Sequence, residues 1–228
     1  MTSPKPITVL LAEDHAVVRQ GLSALLNADG HFKMAGEART GREAVDMAQA
    51  LQPDVILMDI AMPVLNGLEA TRQILADNPA ARVVILSAHS DDEYIDRMSS
   101  AGVAGFLEKQ TSAEILTKAI REVAKGGKFF SPSIAKRMHD APGKPRNRDG
   151  LHKVNAAHLT SREAEVLQLV AEGAANKQVA AELGISIKTV EKHRQHLMDK
   201  LDIHETAGLT RYAIAAGVIE SRVQLTIV

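Results

Sequence analysis

The chain has 228 residues, 45% of them hydrophobic, enough apolar material to build one large core or two of ordinary size. It contains no cysteine, and neither its first residues nor any later run is apolar and long enough to serve as a signal core or to cross a bilayer; disulfides and thiolate metal sites are excluded, and a soluble cytoplasmic protein is expected. The net charge of -1 is unevenly spread: Lys plus Arg against Asp plus Glu is 12 against 17 over residues 1–127, 6 against 2 over 128–150 and 9 against 9 over 151–228, so any case for nucleic-acid binding must rest on where charges sit.

Taken in order, the first apolar run is Ile7–Ala12, which ends in Glu13-Asp14. Val18, Leu22, Leu25 and Leu26 then repeat at helical spacing, as do Ala44, Val45, Ala48 and Leu51 after the Thr40-Gly41 turn, and both stripes are expected to face a sheet. Val55-Ile56-Leu57-Met58 ends in Asp59, and Asn66-Gly67 leads from the loop beyond it into a helix through Ile74. Val83–Leu86 ends in Ser87, and Asp91-Asp92 opens a helix with Tyr94, Ile95 and Met98 inward. Gly105-Phe106-Leu107 leads to Lys109. Thr111-Ser112-Ala113-Glu114 reads as the capping box of a helix that carries Ile115, Leu116, Ala119, Ile120 and Val123 and is stopped by Gly126-Gly127. Strict alternation of this kind predicts five strands and five helices, an α/β doubly wound five-stranded parallel sheet with right-handed crossovers.

An apolar run that closes on a carboxylate needs a reason, and a lone strand-end Asp is as readily the cap of the next turn as a ligand. Here several strand ends carry polar groups, and in a parallel sheet they converge at the edge where such folds bind ligands. Two adjacent acids, a further Asp, a hydroxyl and an amine then meet. Hard oxygen ligands suit Mg²⁺, an Asp beside the metal can become an aspartyl-phosphate, and lysine, metal and hydroxyl can neutralise a transferred phosphoryl group.

This constellation resembles the receiver domain of two-component response regulators, over roughly residues 7–125. The resemblance implies a flavodoxin-like fold in which Asp59 is the phosphoacceptor. Glu13, Asp14 and Asp59, with the backbone carbonyl of Ala61, would hold Mg²⁺, and Ser87, Phe106 and Lys109 would be the switch and phosphate-binding residues. Two positions depart from the usual pattern. Gln110 stands where many receivers have a cis-proline, and Phe106 lacks the hydroxyl of the tyrosine often found there. His89 could overhang the phosphoryl group or be an exposed loop histidine. A metal-dependent phosphohydrolase built on Asp59 is a rival, but such enzymes place a second acid two residues on, where this chain has Ala61.

Residues 128–157 break the alternation. Pro132, Pro142, Gly143, Pro145 and Gly150 interrupt a basic stretch with Lys136, Arg137, Lys144, Arg146 and Arg148, around a short helix at Ser133 to His139. The stretch reads as an inter-domain linker, either a tether whose cations add phosphate attraction or a solvated spacer.

Four helices follow. Leu159-Thr160-Ser161-Arg162-Glu163 forms a capping box ahead of Ala164, Val166, Leu167 and Val170; Asn176 caps a short helix with Val179, Ala180 and Leu183; Ser186 caps a longer one with Val190, Leu197 and Leu201 inward; and the last runs from about Glu205 to Ala216. A short helix, a Gly-containing turn and a longer capped helix make the helix-turn-helix pattern. The outer face of the longer helix, with Lys188, Thr189, Glu191, Lys192, Arg194 and Gln195, is either a solvated face or a DNA-reading one. His193 and His196 lie one turn apart, but without a third ligand they make a poor zinc site; His193 is expected to pack against the bundle.

Residues 158–217 resemble the LuxR-type helix-turn-helix, through Leu159–Glu163, Asn176-Lys177 and Ser186–Arg194. By that resemblance Lys177, Lys188 and Thr189 contact the DNA backbone, and Glu191, Lys192 and Gln195 face the groove, with Glu191 in place of a common basic residue. Together the halves resemble a response regulator of the NarL/FixJ subfamily: receiver at 1–127, linker at 128–157 and DNA-binding domain at 158–228. The function so implied is phosphorylation-dependent transcription regulation, without enzymatic turnover. Its partners would be a sensor histidine kinase, double-stranded promoter DNA, RNA polymerase and, when phosphorylated or DNA-bound, a second copy of the chain. The rival is a signalling adaptor whose C-terminal helices bind protein.

Overall fold

The structure, a computed structural model, describes residues 5–88, 101–132, 134–135 and 159–219. The chain divides into two compact units, Met1–Asn147 and Arg148–Val228, and each is taken by itself.

The first unit runs β1 (Ile7–Ala12), α1 (Ala16–Ala28), β2 (Phe32–Ala38), α2 (Gly41–Leu51), β3 (Val55–Asp59), α3 (Gly67–Asp77), β4 (Val83–Ser87), β5 (Gly105–Glu108), α4 (Ala113–Ala124) and β6 (Phe129–Phe130). All pairings are parallel, in the order β2-β1-β3-β4-β5-β6. Alternate strand residues point to opposite faces. Leu10, Ile56, Met58, Ile85 and Phe106 join Ala44, Val45, Leu68 and Ile74 of α2 and α3 in one core. Val9, Leu11, Leu57, Val84 and Leu107 join Leu26, Leu116, Ala119, Ile120 and Val123 of α1 and α4 in the other. Burial on both faces explains why these strands read as unbroken apolar runs.

The sheet is one strand wider than expected. Phe129 and Phe130 pair with Gly105 and Phe106, and Ile134 is fully buried in the α2 and α3 core, so packing of this unit continues into the stretch read as linker. Two apolar stripes are also narrower than their spacing suggests. Val18 is 37% exposed, because Arg19 takes the buried place beside the strand end. Leu51 is 45% exposed, since it lies over Gly36 of the edge strand β2 and has sheet beneath it on one side only. The cap of α4 sits one residue later than expected: Ser112 Oγ accepts from Ile115 N at 3.4 Å, while Thr111 N is taken up by Glu108 O at 2.9 Å. The helix expected after Asp91-Asp92, His89, the residues of the short helix from 136 onward and the linker cations lie outside the described residues.

The second unit is helical: α5 (Ser161–Ala171), α6 (Asn176–Leu183), α7 (Ile187–Leu201) and α8 (Thr206–Ala215). The Thr160 and Glu163 capping box forms in both directions, with Glu163 N donating to Thr160 Oγ1 at 3.3 Å and Thr160 N to Glu163 Oε2 at 2.9 Å. Asn176 is not the cap of α6. That position falls to Ala175, whose N–H is met by Gln178 Oε1 at 2.8 Å, and this frees the Asn176 side chain for the contact described below. Gly184 ends α6 with φ +62, a left-handed turn that favours glycine, and Ser186 Oγ accepts from Thr189 N at 3.1 Å to start α7. Val166, Leu167, Val179, Val190, Leu197 and Leu209 have no exposure and form the interior.

Candidate functional site

Strand register builds the first site. Ala12 pairs with Met58, so Glu13 follows level with Asp59; Asp59 pairs with Leu86, Ser87 with Glu108, and Lys109 comes next. Four strand ends therefore deliver their polar groups to one edge. Glu13 is fully buried, Asp59 is 2% and Ser87 3% exposed. Lys109 Nζ lies 2.8 Å from Glu13 Oε2 and 2.8 Å from Asp59 Oδ2. Both are close contacts of opposite charge, so the Lys109 ammonium is what compensates these two buried carboxylate oxygens. Lys109 is anchored in turn by its own N–H, which donates to Ser87 O at 2.8 Å.

Electrostatics follow from this crowding. Burial first, and then the charge of Glu13, push the Asp59 carboxyl up to about 6, with Lys109 countering only part of the rise. Burial works against the charge on Lys109, but Asp59 and Glu13 hold its ammonium above the ordinary lysine range. An excess of negative charge over one amine suits a further cation. Glu13, Asp14, His15 and Asp59 each offer a ligand atom, all within 4.8 Å of one another, and a set dominated by carboxylate oxygen fits Mg²⁺.

The loop beyond Asp59 holds the aspartate in place. Gly67 N donates to Ile60 O at 2.8 Å, and a side-chain carbon on Gly67 would fall 1.8 Å from Asp59 O, so only glycine allows this closure. Ala61 lies inside that loop, two residues past Asp59. Phe106 is fully buried in the core beneath the site.

Two residues of this region were not singled out in the sequence. His15 Nδ1 sits 2.7 Å from Asp14 Oδ1 and 3.1 Å from Glu13 Oε1. Buried Arg19 donates from one guanidinium nitrogen to the carbonyls of Glu13, at 2.8 Å, and Asp14, at 3.2 Å, fixing the backbone that aims the acidic pair. Their spacing from Glu13, two and six residues, was the available signal.

In the second unit Lys177, Lys188, Glu191, Lys192 and Gln195 are exposed, and Thr189 is half-buried with its hydroxyl 2.8 Å from that of Ser186. Gln195 donates to Asp199 Oδ1 at 2.8 Å. Arg194 does not belong to the outer face. Its guanidinium donates to Asn176 Oδ1 at 2.8 Å and to Thr206 Oγ1 at 3.0 Å, linking α7 to both α6 and α8. His193 is half-buried and His196 exposed. Among the described residues, these two belong to no metal-ligating cluster.

Residues 9–121 match the response regulator receiver domain family, and residues 157–213 match the bacterial regulatory proteins of the luxR family. The chain is 38% identical over 219 residues to the transcriptional regulatory protein MctR of Rhizobium johnstonii, covering 96% of this chain and 98% of MctR. It is 34% identical over 214 residues to the response regulator protein VraR of Staphylococcus aureus, covering 94% of this chain and 99% of VraR. Among solved structures, it is similar to a LuxR-family two-component response regulator from Aurantimonas sp. SI85-9A1. That match has a TM-score of 0.57 at 29% identity and covers 60% of this chain and 97% of the other. No described helix is long and apolar enough to cross a membrane.

Proposed function

Because the chain belongs to the two-component response regulators that join a receiver to a LuxR-type helix-turn-helix, and is thus a DNA-binding transcription regulator rather than an enzyme, we propose that Asp59 is its phosphoacceptor. The observation that carries this reading is the pair of buried carboxylates, Glu13 and Asp59, each 2.8 Å from the Lys109 ammonium. A carboxylate held this way is presented as a nucleophile, and the amine beside it is placed to follow the incoming charge. Asp59 Oδ attacks phosphorus in line with the leaving group, supplied by a sensor histidine kinase. Lys109 then exchanges its contact with Asp59 for a phosphoryl oxygen, and the Ser87 hydroxyl donates to another. Glu13, Asp14, Asp59 and the Ala61 carbonyl are the residues that would hold Mg²⁺, which when bound supplies charge neutralisation.

Phosphorylation adds about two negative charges, draws Ser87 and Lys109 toward them, and biases Phe106 and β5 toward a second arrangement. The readout is promoter DNA bound by the second unit as a homodimer in the cytoplasm, with RNA polymerase as the further partner. Lys177, Lys188 and Thr189 take the phosphates, and Glu191, Lys192 and Gln195 face the groove. The three parts assigned from the sequence serve as receiver, tether and reader. Acetyl phosphate should label the wild-type chain and not Asp59→Asn, and excess chelator should suppress the labelling. Equal labelling of Asp59→Asn refutes the assignment. Ser87→Ala and Lys109→Ala should accept phosphate but no longer couple it to DNA affinity.

A further inference from the structure

Ile187 is the large apolar side chain that α7 leaves open, at 45% exposure. The fold makes no evident use of it. Ser186 is the N-cap, so Ile187 is the first helical residue, while the positions of a hydrophobic staple fall to Ile185 and Val190. Val190 and Leu197 supply the buried side of the helix. A β-branched residue at a solvent-facing helical position gains nothing from propensity either. Its placement has a direction, however. Ile187, Glu191 and Gln195 succeed one another at four-residue intervals, which sets them in one row along the helix surface, and all three are exposed.

In a helix-turn-helix, the N-terminal residues of the second helix reach the base edges. The major groove presents donors and acceptors at every base pair and one apolar group, the C5-methyl of thymine. We infer that Ile187 is a specificity-determining residue that packs against a thymine methyl in each half-site, beside the polar contacts of Glu191 and Gln195. This rests on the DNA-binding reading of α7 and adds to it an apolar base contact that the charged side chains cannot make.

The test uses full-length protein treated with acetyl phosphate and duplexes that it enriches from a random pool. Each thymine of the enriched site is replaced in turn by deoxyuridine, which removes only the methyl group. The expected result is a thymine in each half-site whose replacement weakens wild type about fourfold, the worth of one methyl taken out of water. The same replacement leaves Ile187→Ala unchanged. Ile187→Val, which keeps the β-branch, retains the sensitivity, and both variants melt like wild type. If uracil weakens wild type and Ile187→Ala equally at every position, the inference is overturned while the DNA-binding reading stands. If no duplex is enriched, that reading falls together with the inference.

Discussion

Replacing Asp59 by asparagine should make the protein more stable, not less, when no divalent cation is present. The carboxyl is driven by burial, and next by Glu13, up to about 6, well above the ordinary aspartate value near 4 that holds in the unfolded chain. The folded chain therefore binds this proton more tightly than the unfolded one. The stability that Asp59 contributes is greatest below pH 4, falls as pH rises from there through about 6, and is level above that. At about 1.4 kcal/mol per tenfold change, keeping Asp59 ionised at pH 7.5 costs the folded chain about 3 kcal/mol. Asparagine removes the charge and keeps the shape, so Asp59→Asn should recover most of this, about 10 °C in the melting temperature of a domain this size. Scanning calorimetry of the full chain in chelator, at pH 4 and pH 7.5, follows the receiver transition. The gain should appear at pH 7.5, vanish at pH 4, and shrink when millimolar Mg²⁺ stabilises wild type. An unchanged transition at pH 7.5, or a gain that ignores pH, refutes the claim that burial and the Glu13 charge disfavour an ionised Asp59.

Three further outcomes follow from other contacts. Asp54 Oδ2 accepts from both the backbone N–H and the hydroxyl of Thr8, at 2.8 and 2.7 Å, and these bonds hold its carboxyl below the usual range. Its stabilisation is present above the ordinary aspartate value and lost as pH falls below it, so urea titrations should show Asp54→Ala less stable than wild type at pH 7 and the difference shrinking as pH is lowered below the ordinary aspartate range. Arg194→Ala breaks the links to Asn176 and Thr206 at once; it should lower the melting temperature of the DNA-binding unit and weaken DNA binding with no change in salt slope, whereas a lower slope with unchanged melting would make Arg194 a phosphate contact. Lys188→Ala should keep the melting temperature and reduce binding to all duplexes alike, with the slope of log affinity against log salt falling by about one.

The ends of β1, β3, β4 and β5 are legible in the sequence because each apolar run is buried on both faces and stops on a polar residue. Nothing local obscures that. β2 is harder: its burial along Phe32–Ala38 does not alternate, it contains Gly36, and its register against β1 shifts between Val9 and Leu10. An edge strand with one neighbour need not show the pattern of a central one. β6 is two residues long and follows Gly126-Gly127, a stop signal that conceals a strand. The arginines misled for another reason. Polarity places Arg194 outward and leaves Arg19 unremarked, yet their partners lie across other elements: Asn176 and Thr206 for Arg194, and backbone carbonyls near the strand end for Arg19. Such pairings depend on helix packing, which a local period does not report.

The short strand β6 gives the receiver a mechanical exit. The chain passes from it through Ser131, whose N–H donates to Phe106 O at 3.1 Å directly after Phe130 has paired with Phe106, to the buried Ile134. Phe106 stands three residues before Lys109 on the same strand. A pull on the downstream chain along the strand direction would load these parallel-sheet bonds in shear rather than peel them one at a time. Load arriving from the tether would thus meet the buried Ile134 first and then β5 at the level of Phe106, ahead of the rest of the sheet, and strain in β5 would travel outward by the same bonds.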